Sequence, residues 1–540
     1  MSAMRKPRQV LQRAVSQVLR VGFRAITTRR GLADQAVAET ALDLGPEEPA
    51  QRKVHKSLVQ WDHFGDGPAK PKPLTTGQVG PTARDLPRIL LLNPPSFEGM
   101  PVIRLYRSEY IFVQGNNIPV VDLGYFAARL KGKAHIALID ANAEGLDQAT
   151  TLERIKAFAP DTIVLKGVKN LLAHDLEGPA AYKRAHPHVR IVLSCRGAVD
   201  SDAHVFETFP FVDGFARGEV DAFAEDLAAG GPLDKIVGMS TPGAITKVTR
   251  TVADLNEFPM PDLEAMPAIW YSGYKFPYYG IPSGYYLMTS RGCPYQCTFC
   301  MVGGIEDRPF KYRRRDPENV IEELKLVKAK FGLRDFYFFD EIFTMPGHAE
   351  KICELMIKED LRMSWTCEGK PDLVKEKMLG LMKRAGCTAI YYGVESGDDD
   401  ILRNVEKGHT SEDARRAIKL TREAGILAGA YIILGFPGET TSSVLRTTKF
   451  LLDAKPDMIR YSFLMPYPAT VMHREMVDAG LLKPDFDRKS IDRHINADHD
   501  LGISHTSEVL SQRQLKSIDA LFRMGFATEL ARSPRIPTEY

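Results

Sequence analysis

Three cysteines at 293, 297 and 300 sit in the run Thr289-Ser-Arg-Gly-Cys-Pro-Tyr-Gln-Cys-Thr-Phe-Cys300. Their spacing is C-x3-C-x2-C, on a loop directly after an apolar strand expected over Tyr285 to Met288. Three thiolates can hold three irons of a 4Fe–4S cluster and leave the fourth iron open. An open iron can chelate a small molecule through an amine and a carboxylate, and S-adenosylmethionine (SAM) offers both. Structural zinc is the competing reading. It wants four ligands in closed tetrahedral geometry, and no fourth Cys or His stands nearby in the sequence.

The elements around the loop must bring partners to it. Strands are expected near 285–290, 335–340, 363–367, 388–393, 428–434 and 458–464. Helices are expected over 317–330, 347–358, 375–385, 411–424 and 441–454, the first opening at Asp316-Pro317. In barrels of β/α units, functional side chains stand at the carboxyl ends of strands. Those ends carry Asp340-Glu341, Lys370, Glu395-Ser396 between two glycines, Gly435 before Glu439-Thr440, and Leu464 to Pro468. A carboxylate suits an ammonium donor. Lys370 suits a carboxylate, and Glu395-Ser396 suit hydroxyls at a close backbone approach. Plainer readings stand beside these: solvated acids at 340–341, and a helix cap at Thr440.

Upstream, residues 86–235 alternate strands and helices. Strands are expected over 88–93, 135–140, 162–165, 189–194 and 211–216, with helices within 118–130, 152–158 and 180–185. This pace implies a doubly wound parallel sheet. Ligands of such sheets bind at the strand carboxyl ends, near the topological switch point. The candidate ligand loops carry Asn93 and Pro94; Asp122 and Gly124; Lys166, Gly167 and Val168; Ser194, Arg196 and Gly197; and Gly218 with Glu219.

The cysteine run resembles the signature of the radical SAM superfamily. Asn93-Pro-Pro95, Leu123-Gly-Tyr125, Asp140, Pro160-Asp161 and Arg217-Gly-Glu219, with Val252 to Asp262 after them, resemble the cobalamin-binding domain and connector that precede many radical SAM domains. The resemblance implies an α/β protein. A basic amphipathic helix and linker (1–85) come first. A Rossmann-like doubly wound cobalamin-binding domain (86–235), a connector (236–283), a partial (β/α)6 radical SAM barrel (284–482) and a helical C-terminal extension (483–540) follow. It implies a 4Fe–4S cluster on Cys293, Cys297 and Cys300. SAM would be held by Asp340 or Glu341 at its amino group, with Lys370, Glu395, Ser396 and Gly435 around the rest. Cobalamin would sit at the loops of the first domain. The implied reaction is methylation of an unactivated carbon: one SAM methylates cobalamin, and a second yields a 5′-deoxyadenosyl radical that removes a substrate hydrogen. A small-molecule or lipid-like substrate and an electron donor such as flavodoxin or ferredoxin complete the set.

Two alternatives stand. One is a non-methylating radical SAM enzyme, such as an oxidative cyclase, a ring-contracting enzyme or a lipid carbon–carbon coupler. The other is a non-catalytic iron–sulfur or cobalamin-binding regulator. The chain departs from the pattern at one place: Ser194-Cys-Arg-Gly197 replaces the usual Gly-Gly dipeptide, and no Asp-x-His-x-x-Gly run offers a histidine to cobalt.

Composition bounds the rest. The 540 residues are 44% apolar and 26% charged with a net charge of +2, ordinary values that do not suggest a nucleic-acid binder. Lys311-Tyr-Arg-Arg-Arg315 reads as a solvated patch, and Cys353, Cys367 and Cys387 as isolated core thiols. Seven cysteines with three on a cluster indicate a reducing compartment, the cytoplasm. Eight Arg or Lys and no acid occur in the first 30 residues, with Leu11, Val15, Val18, Leu19, Phe23 and Ile26 at helical spacing. Such a helix can dock at the inner face of a membrane, resembles a transit peptide, or packs on its own protein.

Overall fold

The computed structural model describes residues 86–482, apart from 100–101, 106–107, 112–119, 258, 267–274, 277–280 and 283–284. The expected N-terminal amphipathic helix, the linker up to residue 85 and the C-terminal extension lie outside the described residues.

Two six-stranded sheets organise the chain. The first contains β1 (Arg88–Asn93), β2 (His135–Asp140), β3 (Thr162–Lys166), β4 (Arg190–Ser194), β5 (Gly214–Ala216) and β6 (Met239–Ser240). The order is β2-β1-β3-β4-β5-β6, and all pairs are parallel except the last. The order reverses between β1 and β3, which is the switch point of this doubly wound plan. β1 is apolar along nearly its whole length because both of its faces are covered. Leu90 and Leu92 join Ile163, Leu165, Ile191 and Leu193 beneath three helices, α2 (Gln148–Phe158), α3 (Glu177–Ala185) and α4 (Asp202–Thr208). Ile89 and Leu91 face the opposite way, toward α1 (Val121–Leu130) and the second sheet. The two-residue β6 and the antiparallel hairpin Val102–Leu105/Ser108–Ile111 had no counterpart in the sequence reading.

The second sheet runs in chain order: β7 (Tyr286–Leu287), β8 (Asp335–Phe338), β9 (Ser364–Gly369), β10 (Cys387–Glu395), β11 (Leu427–Leu434) and β12 (Met458–Phe463). Every pair is parallel. Five helices connect them: α5 (Pro317–Phe331), α6 (His348–Lys358), α7 (Glu376–Arg384), α8 (Ser411–Glu423) and α9 (Thr441–Ala454). Their ends follow local rules. Pro317 occupies the first turn of α5, and Gly332 closes it in the left-handed conformation. Thr410 and Thr440 each accept a hydrogen bond from the third residue of their helix. On one face Phe338 stacks on Phe343 and meets Trp365, whose indole N–H donates to the Ala385 carbonyl at 2.9 Å. Cys353, Cys367 and Cys387 are buried on this sheet and its helices. Cys367 lies against Cys387, so these thiols are not isolated, and burial pushes those of Cys353 and Cys367 far up.

The opposite face carries Tyr286, Tyr337, Phe339 and Tyr391, in one continuous core with Ile89, Leu91, Val164 and Val192 of the first sheet. Buried ion pairs reinforce the junction. Arg291 binds Asp221 at 2.7 Å and Glu219 at 3.3 Å, and Arg313 binds Glu219 at 2.6 Å. Arg315 binds Glu323 at 2.6 Å, and Tyr125 and Tyr285 both donate to the same carboxylate. This corrects the reading of 311–315 as a solvated patch, because Arg313 and Arg315 point into the protein.

Candidate active site

β7 is short because the chain turns at once into the cysteine loop. Asp340, at the end of β8, fixes the turn. Its Oδ1 accepts the Thr289 and Ser290 N–H groups at 2.7 and 2.9 Å, and its Oδ2 accepts the Thr289 hydroxyl. Burial pushes its carboxyl up to about 6, against the pull of those donors. Gly292 has φ +79, and a Cβ there would lie 2.2 Å from the Lys311 carbonyl oxygen. A Cβ on Gly304 would lie 2.4 Å from the carbonyl oxygen of Cys297, so the loop closes directly over this glycine. The Thr298 N–H donates to Val405 at 3.1 Å, and the Val302 N–H donates to Cys300 Sγ at 3.4 Å.

The loop's electrostatics show what stands around it. Burial pushes the Cys293 thiol up to about 12, and the other two cysteines and Glu341 add to the effect. Burial raises Cys297 too, with Lys407 and Lys370 opposing it and Glu395 adding to it. Two carboxylates and two lysines therefore lie within electrostatic reach of the loop. No trio of His, Cys, Asp or Glu among the described residues gathers tightly enough to hold a single metal ion. A cubane cluster asks for something else: each thiolate takes a different iron, and the cluster supplies the positive charge that mutually repelling thiolates lack. The donor set fits a cluster and does not fit a closed zinc site.

The expected SAM contacts divide into two groups. Glu341, Lys370 and Glu395 are gathered at the loop. Lys370 Nζ sits 4.4 Å over the Tyr295 ring and donates to Asp372 and to the Gly408 carbonyl. Glu395 has φ +65 where the β10–β11 register shifts, a conformation uncommon outside glycine. It pairs with Lys407 at 2.8 Å, and both are largely buried. Burial alone would lower the Lys407 ammonium, but Glu395 and the cysteines hold it above the usual lysine range. Sequence reading missed Lys407, because a lysine before a glycine on a turn carries no distinguishing pattern. Asp340 and Ser396 are engaged by hydrogen bonds within the protein. Asp340 is occupied by the Thr289–Ser290 turn. Ser396 is fully buried, where its hydroxyl meets Thr447 at 3.1 Å and accepts the Asp398 N–H. Gly435, at φ +89, donates its N–H to the buried Glu439.

The expected ligand loops of the first sheet are ordered by buried polar pairs. Asn93 donates to Asp140 at 2.7 Å, and Lys166 binds Asp122 at 2.6 Å. Arg104 returns from the hairpin to the Pro94 carbonyl and to Asp175, whose other donor is the Val168 N–H. Gly124 and Gly167 pack beneath Met266 and Leu172. Ser194 closes β4, and Arg196 and Gly197 form a short helical turn after it. The Asn170 Oδ1, just past β3, is buried with no hydrogen-bond partner in the protein. Gly218 and Glu219 are engaged by neighbouring parts of the protein. Gly218 packs on the Arg250 backbone, and the Glu219 carboxylate is engaged by Arg291, Arg313 and the Val252 N–H. Arg196 leaves its own sheet altogether: it donates to the Met301 carbonyl at 3.1 Å, and its guanidinium lies 3.7 Å over the Phe310 ring.

Comparisons with known proteins found the following likenesses. Residues 287–451 match the radical SAM superfamily. An uncharacterised methyltransferase of Pyrococcus horikoshii is 27% identical over 73% of this chain and 84% of its own. The anaerobic magnesium-protoporphyrin IX monomethyl ester cyclase of Rubrivivax gelatinosus is 26% identical over 67% of each chain. The solved structure of the radical SAM methyltransferase TsrM from Kitasatospora setae, with cobalamin and a 4Fe–4S cluster bound, superposes with a TM-score of 0.59 at 18% identity, over 80% of this chain and 90% of that one. Residues 287–451 are a radical SAM domain, and the chain is a radical SAM enzyme with the fold of a superfamily member that binds cobalamin.

Proposed function

We propose that the chain is a cobalamin-dependent radical SAM methyltransferase acting on an unactivated carbon. The observation that carries this is the contact of Arg196 with Met301, which joins the carboxyl end of β4 to the cysteine loop. A corrinoid at the first sheet and SAM at the second would then face one another. The methyltransferase name of the Pyrococcus relative supports the reading. The cyclase name of the Rubrivivax relative keeps a non-methylating reaction as the second reading.

In the proposed site Cys293, Cys297 and Cys300 hold the cluster. Glu341 receives the SAM ammonium, while Lys370 and Lys407 supply positive charge for its carboxylate. Glu395, fixed by Lys407, accepts hydroxyls, and the Gly435 turn borders the adenine. Asp340 and Ser396 position the loop and the β10 end. On the first sheet, Asn93, Asp122, Lys166 and Ser194 border the corrinoid, and the unpartnered Asn170 Oδ1 suits the amide donors that such a ligand carries. When bound, the cluster supplies the electron that splits SAM and the corrinoid carries the methyl group. The electron comes from a flavodoxin or ferredoxin.

The basic N-terminal segment docks the enzyme on the cytoplasmic face of a membrane, which suits a poorly soluble, lipid-like substrate. Co-sedimentation with anionic vesicles of the full chain, but not of a chain starting near residue 31, would support this. The test of the main reading is anaerobic reconstitution with SAM and cobalamin, then product counting on cell extracts. Equal S-adenosylhomocysteine and 5′-deoxyadenosine supports methylation. 5′-Deoxyadenosine alone supports the second reading, and neither product overturns both.

A further inference from the structure

The contact between Arg196 and the cysteine loop does more than join two elements. Arg196 donates to the carbonyl of Met301, and the next N–H, that of Val302, donates to Cys300 Sγ at 3.4 Å. The Met301 carbonyl and the Val302 N–H are the two ends of one peptide group. That group is planar and conjugated, so density withdrawn at its oxygen is felt at its nitrogen. Hydrogen bonds in series polarise one another, the more so away from water. The guanidinium brings positive charge together with its planar fork of donors. It is held in place by the Phe310 ring, itself buried, 3.7 Å below. The sequence departs from the pattern it resembles at this residue, where a glycine would have no side chain to reach across.

We propose that Arg196 tunes the reduction potential of the cluster from the other sheet, acting through the Met301–Val302 peptide on the Cys300 sulfur. Reduction adds one electron to the cluster, delivered by an external one-electron donor. Hydrogen bonds to cluster sulfurs, and positive charge near them, stabilise the electron-richer state and raise the potential. Arg196 supplies the charge, and through the Met301 carbonyl it strengthens the hydrogen bond that the Val302 N–H donates. It is a positioning and tuning residue and touches neither substrate nor the carbon that reacts. Because it stands in the Ser194–Gly197 loop, a ligand seated on that loop also bears on the cluster. The inference rests on the reading that Cys300 is a cluster ligand.

The test is a potentiometric titration of the anaerobically reconstituted full chain, with the reduced cluster followed by electron paramagnetic resonance. Dithionite is the reductant and redox mediators set the potential. In Arg196→Ala the ratio of reduced to oxidised cluster at a fixed potential should fall about tenfold, the order expected for one partly screened charge. Arg196→Lys keeps the charge without the planar fork, and Arg196→Gln keeps a donor without the charge. Both should fall between wild type and Arg196→Ala. Should Arg196→Ala fail to fold or to hold a cluster, these two variants decide. Wild-type potentials throughout would overturn the inference. A wild-type chain that assembles no iron–sulfur chromophore would instead refute the reading on which it rests.

Discussion

Replacing Glu323 by Gln should destabilise the junction of the two sheets by about 3–5 kcal/mol. The carboxylate is fully buried on α5, with Arg315 at 2.6 Å. It accepts the hydroxyls of Tyr285, just before β7, at 2.8 Å and of Tyr125, from α1 of the first sheet, at 3.1 Å. Burial alone would lower the Arg315 guanidinium, and Glu323 more than reverses this. At an effective dielectric near 20, two charges at that separation attract by about 6 kcal/mol. Taking both from water offsets much of this, but removing one partner leaves the other buried and uncompensated, which sets the expected loss. A paired replacement, Glu323→Leu with Arg315→Met, removes both charges and should cost far less than the two single losses added together. The assay is urea unfolding of the wild type, Glu323→Gln, the singles Glu323→Leu and Arg315→Met, and their double, with the slope checked for constancy. A loss below about 1 kcal/mol in Glu323→Gln, or a double variant as unstable as the summed singles, would refute the argument.

Three further outcomes are expected. Alanine at Cys293, Cys297 or Cys300 should abolish the iron–sulfur absorbance and 5′-deoxyadenosine formation; normal product from the triple variant would sink the cluster assignment. Gly304→Ala places a Cβ 2.4 Å from the Cys297 carbonyl oxygen, and should reduce iron per chain while far-UV circular dichroism stays at its wild-type value; full iron content would count against the packing argument. Burial pushes the Glu439 carboxyl from its ordinary 4.5 up to about 7. The folded chain then binds the extra proton between these values, so stability is full below pH 4.5 and falls by about 3 kcal/mol as pH rises through 7. Glu439→Gln should remove that part of the pH dependence, and an identical pH profile in the variant would contradict the assignment.

Much of the architecture was legible because it is written locally. Arg88–Asn93 reads as a strand covered on both faces since nothing polar interrupts Ile89 to Leu92. Pro317 and Thr440 mark helix starts through their own chemistry. The cysteine spacing names its cofactor without reference to any other residue. What escaped depends on tertiary neighbours. Arg313 and Arg315 look like a solvated run until Glu219 and Glu323, far away in sequence, come to meet them. Lys407 acquires meaning only from Glu395, and Glu395 only from a register shift at Gly393 that no pattern announces. Asp340 and Ser396 stand at the expected strand ends, yet backbone N–H groups claim them. β6 is two residues long, too short for a period to be seen.

The continuous core running from Ile89 and Leu91 to Tyr286, Tyr337 and Tyr391 has a mechanical consequence. Many enzymes of two sheets admit substrate by hinging them apart. Here a hinge would wet that core and strip Asp221, Glu219 and Glu323 from their arginines at the same moment. The spacing between the two ligand-bearing edges is therefore a fixed gauge, like the jaws of a locked calliper. On the proposed function, a substrate would have to reach its place without the sheets parting, and its reacting carbon would have to suit a gap of set width. Such a site would then measure its substrates by length.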